Sequence, residues 1–187
     1  ACHKWMCAPK GVSFLYAKES LKDSIEPLVI SWGWRDEMLN EKSKYINNHQ
    51  WQGTNDLSAY LTIPKVIRFL NQNKWNDISN ECHNLILYVK NQFKIDKSLC
   101  KPTSNNDKHL GQMLSFQLNQ NSKISITVKE DPSKIVELQK TIYKQSNIHI
   151  PIIYWNGSVF MRVSIQAYNT ESDINKMFDM LEYFNLL

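Results

Sequence analysis

The residues best suited to chemistry lie at the start of the chain, where a histidine and a lysine precede a short loop. His3 and Lys4 lead to Gly11, and Val12 begins an apolar run that ends at Tyr16. A lysine in a tight turn before a buried strand can have its ammonium desolvated, and a desolvated amine is a better nucleophile toward carbonyls. Pyridoxal phosphate (PLP) is a carbonyl cofactor that habitually binds such a lysine as a Schiff base. Taken alone, the spacing fits a solvated turn lysine more often than a catalytic one.

A rigid arginine is the second candidate. The alternation of a predicted strand puts Val159, Met161 and Val163 on one face and Arg162 on the other, which we expect to be set against the core side. A guanidinium held on a strand suits bidentate capture of a carboxylate. From the residues alone, a solvated arginine or a structural ion pair is the commoner explanation.

Gly53 and Thr54 form a third candidate, just before a predicted helix. Their backbone N–H groups and the threonine hydroxyl could bind an anion, and a helix N-terminus adds a favourable dipole. An ordinary N-cap turn fits the same spacing. Asn55 or Asp56 is the predicted N-cap residue.

These segments resemble the class V aminotransferase family, within it the isopenicillin N epimerase-like branch. Four motifs occur in the family's order: the lysine segment from His3 to Tyr16; Trp51 to Thr54 with Asp56 to Tyr60; Gly111-Gln112-Met113; and Arg162 to Thr170. The resemblance covers essentially the whole chain. It implies an α/β fold, PLP fold type I, and a PLP cofactor.

The resemblance also implies roles for individual residues. Lys4 would carry the cofactor as a Schiff base, and His3 would touch its phosphate, although a packing or loop-bonding histidine fits equally well. Gly53 and Thr54 would reach the phosphate in the neighbouring subunit of a homodimer. Arg162 would hold the α-carboxylate of an amino-acid or small-peptide substrate, after which the amine of Lys4 is free to act as a base at Cα.

Composition excludes several other classes of protein. The 187 residues carry 22 basic and 18 acidic side chains, spread along the chain, so a nucleic-acid surface is not expected. No apolar run is long enough to span a membrane. The four cysteines match neither a disulfide scaffold nor the usual zinc-ligand spacings, so we expect no metal site and reduced thiols in a cytoplasmic setting. Cys82 lies on an apolar helical stripe and is expected to be buried.

Two domains are predicted, residues 1–74 as the C-terminal part of the large PLP-binding domain and residues 75–187 as a small α+β domain. Patterns in the first predict a strand at 12–16, an apolar run at 28–30 and a surface loop at 35–50. They also predict a helix over 57–70, which Pro64 should kink or divide by opening a second helix. Patterns in the second domain predict a helix from Trp75, a polar link at 101–108, a hairpin at 114–128 and a helix opened by Asp131-Pro132. They then predict strands at 148–154 and 159–167, joined by a turn at Asn156-Gly157. The last predicted helix is capped by Thr170 with Asp173.

Enzymes that resemble this chain have a long segment before the lysine, so we expect it to be the C-terminal half of an enzyme. The carboxylate for the pyridinium nitrogen and the residue that stacks on the ring would belong to that segment. We therefore expect the isolated chain to bind cofactor poorly. Cysteine desulfurases place a nucleophilic cysteine before the arginine strand, and none occurs between Ile148 and Arg162. Epimerisation, transamination and elimination stay open, as does an inactive remnant that serves dimerisation or partner binding.

Overall fold

The computed structural model describes residues 1–34, 43–51, 53–95, 101–102 and 106–186. By the contacts within the chain, it divides into two units, Ala1–Asn73 and Lys74–Leu187. The assignment of these units to a large and a small domain stays a prediction. Among the described residues, no helix combines the length and apolar character that a membrane span requires.

Short helices and turns make up the first unit. Its elements are 3₁₀ turns at Glu19–Ser24 and Trp32–Trp34 and the helices α1 (Lys44–Gln50), α2 (Ser58–Leu61) and α3 (Ile63–Gln72). Pro64 lies in the first turn of α3 and opens this helix, as predicted. A proline is tolerated there because the N–H groups of the first turn have no partner within the helix. The Ser43 hydroxyl accepts the Ile46 N–H and starts α1, so the predicted loop is wrong over 44–50. Residues 35–42 lie outside the described residues.

The predicted strand at 12–16 is also wrong. These residues belong to no sheet in the described structure. Phe14, Leu15 and Tyr16 are exposed.

The second unit is a sheet covered by helices. Its elements are α4 (Trp75–Ile95), β1 (Lys101–Pro102), a 3₁₀ turn at Asp107–His109, β2 (Met113–Gln117), α5 (Lys123–Glu130), a 3₁₀ turn at Pro132–Lys134, α6 (Ile135–Ser146), β3 (Ile152–Trp155), β4 (Ser158–Ser164) and α7 (Glu171–Tyr183). The strands lie in the order β1-β2-β4-β3, and each neighbouring pair is antiparallel. Of the predicted link at 101–108, residues 103–105 lie outside the described residues.

A two-residue turn joins β3 to β4. Trp155 pairs with Ser158, and Asn156 and Gly157 both have positive φ, at 48° and 75°. Two consecutive positive φ angles favour asparagine and glycine, and they match the twist of the flanking strands. The predicted hairpin turn is therefore confirmed.

The core lies between one face of the sheet and the four helices. That face contributes Leu114, Phe116, Ile152, Val159, Met161 and Val163, and the helices contribute Cys82, Ile86, Val89, Phe93, Ile124, Val128, Ile142, Ile174, Met177, Met180 and Leu181. Cys82 is a free, buried thiol, as expected, and burial raises its pKa. The helix predicted from Trp75 is confirmed, as are the one opened by Asp131-Pro132 and the one capped by Thr170.

The second half of the hairpin predicted at 114–128 is wrong, because residues 123–130 form α5. Ile124 and Val128, four residues apart, are buried in the core, whereas Ile126 is exposed. Ser122 starts the helix by accepting the Ser125 N–H. Alternating isoleucines thus fit a helix with one apolar face, since a cap residue precedes them.

Candidate active site

The loop that carries His3 and Lys4 is closed by backbone hydrogen bonds. The Cys2 N–H donates to Val12 O at 3.0 Å, and the Ala8 N–H donates to Cys2 O at 3.0 Å. Within the loop, the Cys7 N–H donates to Lys4 O at 3.1 Å, which makes a tight turn. Cys7 completes the turn with a positive φ of 56°. The predicted tight turn at the lysine is therefore present.

Small apolar side chains anchor this loop. Cys2, Ala8 and Val12 are buried together, and Met6 packs against them. Ala59 of α2 and Ile63 and Val66 of α3 cover the same cluster. Helices α2 and α3 thereby hold the lysine loop at its base.

The predicted desolvation of Lys4 is wrong for the described residues. Lys4 and His3 are both exposed. Since only the base of the loop is buried, the lysine projects from the anchored turn into solvent. No hydrogen bond to the His3 ring is present in the described part of the chain, and its exposure does not fit the packing alternative.

Gly53 and Thr54 lie in the turn before α2. Gly53 has a φ of 110°, a left-handed conformation that only glycine adopts without strain, and a Cβ here would meet open space. Thr54 is exposed. Asp56 Oδ1 accepts the Ser58 N–H at 2.8 Å, but the N-cap residue of α2 is Leu57, so the predicted N-cap at Asn55 or Asp56 is wrong by at least one residue. The Ser58 N–H and then its hydroxyl lower the pKa of the Asp56 carboxyl.

Arg162 lies in the second unit, on the outer face of the sheet. The alternation predicted for β4 is confirmed, but the face predicted for the arginine is wrong: Val159, Met161 and Val163 face the core, and Arg162 is half-buried on the opposite side. The reason is that an apolar core would leave the guanidinium charge unpaired. Ser115 of β2 is its direct cross-strand neighbour.

The Arg162 guanidinium has an unused donor. Its Nε is shut off from solvent, yet within the described residues it has no hydrogen-bond acceptor. A buried donor without an acceptor costs free energy, so such groups call for an explanation. An acceptor supplied by a bound molecule would remove that cost.

Gln112 connects the third motif to the fourth. Its Nε2 donates to Ile165 O at 3.1 Å, and its backbone O accepts the Ile165 N–H at 2.9 Å. The end of β4 is thus tied to the start of β2. Sequence reasoning assigned no role to this glutamine, and only the sheet register reveals one.

A cleft of about 450 Å³ opens at the same end of β4. Arg162 and Ser164 line it, with polar residues from α6, α7 and the connecting segments that include His149, Asn169, Asp173 and Lys176. Apolar side chains such as Ile150 and Met177 also line it. These residues are distant in sequence, so the cleft has no sequence signal.

Comparison with known proteins identifies the family. The model of the aminotransferase class-V family matches residues 1–177. This chain belongs to the class V aminotransferases. The matched region contains all four motifs.

Two curated relatives in this family are similar over most of the chain. Isopenicillin N epimerase from Amycolatopsis lactamdurans is 23% identical over 188 residues, which cover 96% of this chain and 44% of that protein. A probable chloroplastic L-cysteine desulfhydrase from Arabidopsis thaliana is 23% identical over 192 residues, covering 96% of this chain and 38% of that protein. The chain therefore spans less than half the length of the curated relatives it matches.

A solved structure shows the same fold. The apo structure of a cysteine desulfurase from Thermococcus onnurineus NA1 matches with a TM-score of 0.59 at 18% identity, covering 97% of this chain and 44% of that chain. The predicted α/β fold, PLP fold type I, is confirmed, as is the predicted family. The class V aminotransferases and the cysteine desulfurases are both PLP-dependent.

The donor set of the described residues fits this cofactor. Lys4 offers an accessible amine to an aldehyde, and the turn at Gly53 and Thr54 offers N–H groups and a hydroxyl to a phosphate. No hydrogen bond uses those two N–H groups in the part of the chain that the structure describes. The unpaired Nε of Arg162 suits a carboxylate.

Proposed function

We propose that this chain is the catalytic C-terminal part of a PLP-dependent enzyme that acts at the α-carbon of an amino acid or small peptide. The reaction is an epimerisation, an elimination or a transamination. The observation that carries the proposal is the buried, unpaired Nε of Arg162, on a sheet whose strand order and register hold it in place.

Each site residue has one task. Lys4 would hold the cofactor through its amine, and Gly53 and Thr54 would bind the phosphate in a homodimer partner. Arg162 would bind the substrate carboxylate in the bidentate geometry that a guanidinium allows. Once bound, the cofactor supplies an electron sink for the carbanion at Cα. Lys4 Nζ would take the Cα proton.

Desulfuration is disfavoured within this family of reactions. The segment between Ile148 and Arg162 contains no cysteine to attack a substrate sulfur. The desulfhydrase relative is compatible with this, because elimination of sulfide needs no such nucleophile.

A second candidate is a non-catalytic remnant that serves dimerisation or partner binding. The exposure of Lys4 favours it, since the described residues do not desolvate the amine. The two candidates predict different fates for Lys4.

Covalent trapping at Lys4 separates the two candidates. The polypeptide expressed from its complete natural coding sequence is incubated with PLP, reduced with borohydride and digested. We expect mass spectrometry to find the pyridoxyl adduct on Lys4, because only an imine is fixed by reduction. Lys4→Ala should lose the adduct, and Lys10→Ala, which removes an exposed lysine of the same loop, should retain it. An adduct at other lysines, or none, would contradict the proposal.

A further inference from the structure

Strand β4 is supported on both sides only over its first half. β3 pairs with residues 158–161 of β4, and β2 pairs with residues 160–164 on the other side. Beyond Met161, a single backbone hydrogen bond reaches β4 from the β3 side in the described structure: the Arg162 N–H donates to Pro151 O at 3.3 Å. Arg162 therefore lies where β4 changes from a central strand to an edge strand.

Pro151 accounts for this change. In an antiparallel sheet, a hydrogen-bonded pair of residues exchanges two bonds, but a proline has no N–H that could donate to the Arg162 carbonyl. The preceding residues, 148–150, form no strand and line the cleft together with β4. Where the pairing with β3 stops, the arginine thus gains a cleft on one side and keeps its lateral support on the other side alone.

Gln112 strengthens the supported side at this point. Its backbone O accepts the Ile165 N–H at 2.9 Å, and its side-chain Nε2 donates to Ile165 O at 3.1 Å. Within the described residues, the Gln112 N–H makes no bond to that carbonyl, so the side-chain amide takes the place of the backbone donor. One glutamine thus holds both backbone groups of Ile165, three residues after Arg162.

A hydroxyl on α4 orients this amide. Ser79 Oγ donates to Gln112 Oε1 at 3.5 Å, which is a long hydrogen bond, and the Nε2 of the same amide is then directed at Ile165 O. Ile165 is itself buried, so this anchor is protected from competition by water. The end of β4 is therefore tied to the helical layer as well as to β2.

We propose that Gln112 is a positioning residue, which fixes the end of β4 and through it the direction of the Arg162 guanidinium. A bidentate pair requires both oxygens of a carboxylate to meet the guanidinium in its plane, so a small rotation of the strand weakens binding. The Nε of Arg162 is buried and lacks an acceptor among the described residues, so the side chain has little room to compensate. The inference rests on the proposed function, in which Arg162 binds the substrate carboxylate.

Gln117 provides a matched control at the opposite end of β2. It is half-buried like Gln112, and its Nε2 also donates across to β4, to Ser158 Oγ at 3.1 Å. At that end, β4 is paired with β3 as well, through Trp155. Gln112→Met and Gln117→Met each remove a side-chain amide and nearly keep the length of the side chain. The two variants therefore differ in which end of β4 loses its bond.

Calorimetric titration tests the inference. The complete polypeptide, expressed from its natural coding sequence and loaded with PLP, is titrated with α-aminoisobutyrate and with isopropylamine, which differ by the carboxylate. The amino acid has no Cα proton for Lys4 to remove, so binding is measured without that step. Wild type should bind the amino acid more tightly than the amine. Gln112→Met should reduce this preference by about tenfold, whereas Gln117→Met should keep it.

Arg162→Lys, titrated in the same way, separates this inference from the proposed function. A preference that falls in Arg162→Lys but persists in Gln112→Met would overturn the inference and leave the proposed function intact. An equal fall in both Met variants would also overturn it, because a general weakening of the sheet would then explain the effect. A wild type without the preference, or a preference that Arg162→Lys does not alter, would contradict the role of Arg162 and this inference with it.

Discussion

At the scale of single residues, Arg162 combines a fixed position in the sheet with a buried, unpaired donor. Its strand is held between two neighbours, and the core beneath is formed by Val159, Met161 and Val163. The guanidinium itself lies on the outer face, with its Nε buried and unpaired. That combination leaves a rigid donor whose acceptor must come from outside the described residues.

Replacement of Arg162 tests that role. Arg162→Lys in the complete polypeptide should weaken amino-acid binding by about tenfold to a hundredfold, because lysine keeps the charge but cannot form the bidentate pair. Arg68→Lys, which changes an exposed arginine of α3, should leave the affinity unchanged. Calorimetric titration with the amino acid and with its decarboxylated amine measures the effect. If Arg162→Lys lowered the affinity for both ligands equally, the arginine would not be binding the carboxylate.

Sequence reasoning found these residues but not their surroundings. Alternation along β4 predicted which residues share a face with Arg162, because the strand period is two. It could not decide which face the helices cover, since that depends on packing between elements far apart in sequence. The same limit explains Lys4, whose turn is present although its amine is exposed rather than desolvated.

At the scale of elements, the caps and turns were the most predictable features. Helix starts are marked by Pro64, by Asp131-Pro132 and by the pair of Thr170 with Asp173. The N–H groups of a first turn have no partner within the helix, so a proline there removes such a group and an oxygen acceptor pairs with one. The stretch Ile124, Ile126, Val128 was misread as a strand. Its period-two pattern is also compatible with a helix, and Ser122 decides between the two.

The capping box of α7 makes stability depend on pH. The Thr170 N–H donates to Asp173 Oδ2 at 2.9 Å and is the main cause of the lowered pKa of the Asp173 carboxyl. A lowered pKa in the folded state means that the cap stabilises above the unfolded value of about 4 and is lost as the pH falls through the folded value. Asp173→Ala should therefore cost about 0.5–1 kcal/mol of unfolding free energy at pH 7.

Urea unfolding of wild type and Asp173→Ala at pH 7 and in acid measures this effect. The difference should disappear in acid, where the wild-type carboxyl is protonated as well. Asp179→Ala removes an exposed carboxylate from the same helix without a capping bond, and we expect no loss at either pH. A loss for Asp173→Ala that persists in acid would assign the effect to contacts of the uncharged side chain rather than to the charged cap, because alanine itself favours the helix.

At the scale of the whole molecule, the two units differ in how well each can fold. The second joins a four-stranded sheet and four helices around one core, with Leu114, Met161 and Leu181 among its fully buried residues. Among the described residues of the first, the buried apolar cluster is the small one of Cys2, Ala8 and Val12 beneath the lysine loop. The sequence indicated a change of organisation near Trp75, where the long amphipathic helix begins, but composition alone does not reveal which side has a complete core.

This difference predicts separate folding behaviour. A fragment of residues 74–187 should unfold in a single cooperative thermal transition, because its core is complete without the first unit. A fragment of residues 1–73 should show no cooperative transition and should bind a hydrophobic dye, since its large apolar side chains stay exposed. Circular dichroism and dye fluorescence measure both fragments. In the fragment of residues 74–187, Leu181→Ala should lower the free energy of unfolding by about 2–5 kcal/mol, because it removes a fully buried side chain. Val136→Ala, at an exposed position, should change it little. A non-cooperative 74–187 fragment would mean that its core needs the rest of the polypeptide as well.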